Sequence, residues 1–135
     1  MRERILIVSD EKREASMREL LAQQGFSVAV TGDADDGYKQ LIESRFDLVV
    51  VNVSDPAAGS NFIKRIRTNP ELRKVHLLTV AEWGTGQPTM ALTEGADGFE
   101  PAPVDGERLV AAVVRLIRPN LTMTARASGA DRDDD

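Results

Sequence analysis

The chain has 135 residues, 41% hydrophobic and 29% charged, with a net charge of −5; that suits one globular domain burying roughly two thirds of its unfolded surface. The acidic balance argues against a direct nucleic-acid surface, and the lack of cysteine excludes disulfides, thiolate metal sites and a cysteine nucleophile. No apolar run approaches the roughly 18 residues of a membrane span, and "MRERILIVSD" is too briefly apolar for a secretory leader, so the expected location is the cytoplasm.

Short apolar runs alternate with longer amphipathic segments, the pattern of βα units around a parallel sheet. "RILIV" (4–8) is a continuous apolar strand, as expected when helices cover both faces of a sheet. "SDEKREASMRELLAQQG" follows as a helix with Met17, Leu20 and Leu21 on its apolar stripe and a terminal glycine. "FSVAVTG" (26–32) is the second strand, and "DADDGYKQLIESRF" the second helix, with Asp33 as its cap. "DLVVV" (47–51) is the third strand, "SDPAAGS" a loop of small residues, and "NFIKRIRTN" a third helix ended near Pro70. "VHLLTV" (75–80) is the fourth strand. A glycine-rich loop, "AEWGTGQP", leads to a short fourth helix, "TMALTEG", closed by Gly95. "DGFEP" is the fifth strand and "DGERLVAAVVRLIR" the fifth helix.

Five such units with right-handed crossovers give a flavodoxin-like (βα)5 fold, a doubly wound parallel sheet of strand order 2-1-3-4-5. Residues 1–118 form the expected domain. Residues 119–135, "PNLTMTARASGADRDDD", lose the apolar periodicity and read as a flexible acidic tail or the start of a linker. Ligands of such sheets bind beyond the C-terminal ends of the strands, near the switch between the first and third. That selects Ser9, Asp10, Asn52, Val80 and Ala102, and leaves Asp47 at the opposite end. One carboxylate, one amide, one serine and two apolar groups are a poor inventory for catalysis, and no nucleophile–base pair converges there.

The segments "ILIVSDE", "DLVVVNVSDP", "LTVA" and "GADGFEPAPV" resemble, in order and spacing, the landmarks of bacterial response-regulator receiver domains over residues 4 to about 118. In that family a pair of acids after the first strand binds Mg²⁺, and an aspartate ending the third strand accepts a phosphoryl group. A Thr or Ser ends the fourth strand, and a Lys before a cis proline ends the fifth. The resemblance places these roles on Ser9 and Asp10, Asn52, Val80 and Ala102, with Pro103 kept and Phe99 at the aromatic switch position. A one-residue slip would put Thr79 in place of Val80.

The substitutions agree with one another physically. An amide oxygen is too weak a nucleophile to form an acyl phosphate, so Asn52 removes the covalent step. Ser9 and Asn52 replace two anions, each supplying on the order of 4 kcal/mol of gross attraction to a cation at ~4 Å in a medium of effective dielectric near 20. Mg²⁺ binding is therefore not expected, and neither is any other cofactor. Without clustered anions a lysine would be an unpaired buried ammonium, which Ala102 avoids.

The remaining features carry ordinary readings beside functional ones. Asp10 is a residual metal ligand or, more simply, the cap of the first helix. Asp55 lies beyond the strand tip and is expected to face solvent. Trp83 either anchors a partner or covers the emptied pocket, and Phe99 is either half-buried filler or a moving switch. His76 is expected to be structural, and "KRIRTNPELRK" a solvated helix face. The expected function is a phosphorylation-independent signalling module and not an enzyme. It would bind a protein partner, or a second copy of itself, through the fourth helix, fifth strand and fifth helix, roughly 88–117, with Trp83, Phe99 and Pro103 on the interaction surface. The rival reading is a small-molecule or anion-binding module using the crevice at the strand tips.

Overall fold

In the computed structural model, which describes residues 3–10, 14–53, 55–81, 95–101 and 105–118, the apolar runs become five parallel strands. They are β1 (Arg4–Ser9), β2 (Ser27–Thr31), β3 (Leu48–Asn52), β4 (His76–Ala81) and β5 (Gly98–Pro101), in the order β2-β1-β3-β4-β5. Four helices are described: α1 (Glu14–Gln23), α2 (Ala34–Glu43), α3 (Pro56–Arg67) and α4 (Gly106–Ile117), the last being the fifth helix of the sequence reading. A single 3₁₀ turn, Pro70–Leu72, precedes β4. The doubly wound flavodoxin-like architecture read from the sequence is the one observed.

Alternation along the strands divides the core into two layers. Ile5, Ile7, Leu48, Val50, Leu78 and Val80 pack with Met17 and Leu21 of α1 and Leu109, Ala112 and Val113 of α4. Leu6, Val8, Val49, Val51 and Leu77 pack with Leu41 of α2 and Phe62, Ile63 and Ile66 of α3. Burial on both faces is why β1 and β3 show no polar alternation. Among the described residues no helix is long and apolar enough to cross a membrane.

The helix starts follow from capping chemistry. Asp33 Oδ1 accepts from the Asp35 amide at 3.1 Å, as its sequence position suggests. Asp105 does the same for α4. Gly25, at φ +94, provides the left-handed turn after α1. At Gly37 the requirement is space: a Cβ there would lie 2.8 Å from Val8 Cγ2, so α2 can settle on β1 only with glycine.

One element departs from expectation. The third helix begins at Pro56, five residues earlier than the sequence pattern suggests, and absorbs most of the expected loop. Asp55 is its cap, accepting from the Ala57 amide at 3.0 Å, with Pro56 at the first helical position where its missing N–H matters least. Asp55 is exposed, as its place beyond the strand tip suggests, and it also has a local structural task as this cap.

Candidate functional site

The parallel register brings the strand tips together. Ser9 pairs with Asn52 across β1 and β3, and Val51 pairs with Thr79 across β3 and β4. Val80 pairs with Glu100 across β4 and β5. Ser9, Asn52, Val80 and Glu100 thus form one row across the sheet, on the face that α1 and α4 cover. Thr79 turns to the opposite layer, so the register puts Val80, and not Thr79, beside Asn52.

Ser9 is fully buried and Asn52 is 7% exposed. Asn52 Nδ2 donates to Ser9 Oγ at 3.2 Å, and the Asp10 amide donates to the Asn52 carbonyl at 3.4 Å. These bonds tie the ends of β1 and β3 together without a formal charge. Asp10 itself is exposed. Val80, 2% exposed, closes the middle of the row with aliphatic bulk. Among the described residues, no three His, Cys, Asp or Glu side chains cluster as metal ligands would.

Phe99 is half-buried and packs against the α2–α3 layer. His76, half-exposed, places Nδ1 3.9 Å from Asp97 Oδ2. Ala102, Pro103 and Trp83 lie outside the described residues, as do residues 82–94, where the sequence reading set most of the glycine-rich loop and the fourth helix, and residues 119–135. A groove of about 580 Å³ lies at the other end of the sheet, between segments 41–47 and 70–76 with Ile117 at its edge. It is not the crevice in which the sequence reading set a small ligand.

Two charged features escaped sequence reasoning. Within the basic stretch, Arg67 is no solvated residue. Its guanidinium donates to the carbonyls of Gly95 (2.8 Å), Val75 (2.8 Å) and Arg73 (3.3 Å), and to Asp97 Oδ2 (2.8 Å). Glu100 is a buried carboxylate on β5 approached by Arg108 and Arg115 of α4. Spacing offers no signal for the first. For the second, an acid inside a short strand of a buried sheet, followed by two arginines seven residues apart, was the available sign.

Comparison with known proteins agrees with this geometry. The model of the response regulator receiver domain matches residues 5–114. The transcriptional regulatory protein DltR of Streptococcus agalactiae is 32% identical over 112 residues, which cover 82% of this chain and 50% of that protein. The DNA-binding response regulator MtrA of Mycolicibacterium smegmatis is 31% identical over 121 residues, 89% of this chain and 53% of that one. The chain thus spans about half the length of these curated relatives. Among solved structures, the chemotaxis response regulator CheY4 of Vibrio cholerae superposes with a TM-score of 0.78 at 20% identity, over 86% of this chain and 99% of that one.

Proposed function

This chain belongs to the response-regulator receiver family, and from that premise we propose that it is a signalling module that engages a protein partner without aspartyl phosphorylation. The observation that carries the proposal is the buried hydrogen bond from Asn52 to Ser9. At the position where the family has its phosphoacceptor stands an amide whose N–H is already engaged by a neighbouring hydroxyl. The amide carries no negative charge to attack phosphorus.

The residues at the strand tips do not fit Mg²⁺. A hard divalent cation favours charged oxygen ligands, and of Ser9, Asp10 and Asn52 only Asp10 supplies one. No step is therefore routed through a metal, and no catalytic role is assigned to the chain. Val80 adds no hydroxyl to hold a phosphoryl oxygen, and the row between Asn52 and Glu100 stays aliphatic.

The proposed partner surface is the β5–α4 side, with Phe99 on the opposite face of the same edge strand. Trp83 and Pro103, outside the described residues, are assigned to it from the sequence alone, and the proposed setting is cytoplasmic. A homodimer through the same side is one form of that contact. The test is incubation with Mg²⁺ and acetyl phosphate, followed by intact mass, and with beryllofluoride, followed by Trp83 fluorescence. The expected result is an unchanged mass and an unchanged emission. A stoichiometric phosphoryl adduct would overturn the reading.

A further inference from the structure

The seam between β5 and α4 holds an unbalanced charge cluster. The Glu100 side chain is only 11% exposed, and Arg108 Nη2 lies 3.2 Å from its Oε1 while Arg115 Nη2 lies 3.9 Å from its Oε2. The pairing is incomplete, because Oε1 is buried and accepts no aligned hydrogen bond. The arginines are in the reverse condition. Their side chains are 61% and 57% exposed, each guanidinium carries five N–H donors, and among the described residues no other acid pairs with either.

One buried carboxylate shared by two arginines leaves surplus positive charge and surplus donors on an exposed helix face. Arg108 and Arg115 are two helical turns apart, about 10 Å along the axis, and the exposed residue between them is the small Ala111. A second helix laid along this stripe meets no bulk between the two cations.

Resting on the reading of the β5–α4 side as the partner surface, we propose that Arg108 and Arg115 form a clamp for carboxylates on an acidic helix of a partner protein. Glu100 acts as the internal competitor that holds the guanidinium groups in place until the partner displaces it. Charge complementarity selects the occupant: the spare donors are cationic and matched to planar carboxylates. The chain's net charge of −5 disfavours a continuous polyanion such as nucleic acid.

The probe is a fluorescein-labelled alanine-rich helical peptide with glutamates seven residues apart, followed by anisotropy against the full chain at low salt. Saturable binding that weakens with added salt is expected. Arg108→Gln and Arg115→Gln should each weaken it about tenfold, the loss of one charge-assisted contact, whereas Glu100→Gln should tighten it. Arg108→Gln alone strips a buried carboxylate of its nearer cation. The double variant E100Q/R108Q, which removes both charges, is therefore measured beside it and must also bind more weakly than Glu100→Gln. The clamp is overturned if the peptide does not bind, or if the arginine substitutions lower thermal stability and leave binding unchanged. It is overturned equally if they abolish self-association in sedimentation and leave peptide binding intact, since the occupant is then a second copy. A chain that ignores both acetyl phosphate and the peptide would reject the clamp and leave the phosphorylation-independent reading standing.

Discussion

Two polar junctions hold this sheet together by opposite means, one buried and neutral, the other charged and partly exposed. At the tips of β1 and β3, Ser9 and Asn52 join neutral groups through a single side-chain bond of 3.2 Å. Arg67 joins α3 to the segment before β4 through the carbonyls of Arg73 and Val75, and to the segment entering β5 through Gly95 and Asp97, whose Oδ2 also accepts from the Leu77 amide at 2.8 Å. The charged junction is tolerable because its three carbonyls and Asp97 Oδ2 find donors while the Asp97 side chain stays 38% exposed, which keeps the desolvation cost small. The neutral junction carries little desolvation penalty and needs few partners. What differs is the response to losing one member. Breaking the charged junction deprives three carbonyls of their donor, whereas breaking the neutral one strands at most an amide.

Breaking the charged side of this contrast should have the largest effect. Arg67→Ala removes the donors to three carbonyls as well as the partner of Asp97, so a loss of roughly 3 kcal/mol is expected, mostly from the carbonyl bonds because the Asp97 side chain is 38% exposed. Urea denaturation measures it, and a loss under 1 kcal/mol would mean that water replaces the arginine freely. Putting charge into the neutral junction comes next. Asn52→Asp buries a carboxylate beside one hydroxyl and no cation among the described residues, at a cost of about 2 kcal/mol near neutral pH. Desolvation raises the pKa of such an acid above its unfolded value. The penalty is therefore fully present above the raised folded pKa and fades as pH falls through it toward the unfolded value. We expect the variant to remain unresponsive to Mg²⁺ and acetyl phosphate, because Ser9, Val80 and Ala102 are unchanged; a Mg²⁺-dependent adduct with a fluorescence response would contradict that.

How much of this could be read in advance follows from the kind of interaction involved. Strand order and the identity of the tip residues were legible because burial on both faces writes itself as continuous apolar runs, as in "ILIV" and "LVVV". Ser9 and Asn52 sit where those runs stop, so their pairing needed only the strand order. The start of α3 differs from the sequence pattern because the proline, glycine and serine of "PAAGS" signal a loop and outweigh its two alanines. The helix is set instead by Asp55 and Pro56, a cap signal stronger than the composition after it. Arg67 was hidden among neighbours of the same type, since "KRIR" offers three cations and only the fold decides which one turns inward. Gly37 was equally silent, because its reason is Val8 on β1, distant in sequence.

The smallest expected effect comes from a third junction, intermediate between the two. Glu3 receives Arg118 Nε at Oε2 and Nη2 at Oε1, both at 2.8 Å, and the guanidinium also lies 4.6 Å over the Phe26 ring. Its charge and its exposure, 29% and 30%, resemble those of the Arg67–Asp97 pair, and solvent screens both; what it lacks is Arg67's set of backbone carbonyls. The hydrogen bonds from Arg118 hold the Glu3 carboxyl well below its ordinary 4.5, at about 2. A depressed folded pKa contributes stability that is complete above the unfolded value and is lost as pH falls through the folded one. Glu3→Gln should therefore cost about 1 kcal/mol at pH 7, and the gap to the parent should start closing below pH 4.5 and vanish near pH 2. The Phe26 stacking does not depend on the carboxylate, so Arg118→Ala should exceed Glu3→Gln at every pH. Denaturation midpoints across that window decide the matter, because a gap that stays constant with pH would show that packing, and not the ion pair, carries the contribution of Glu3.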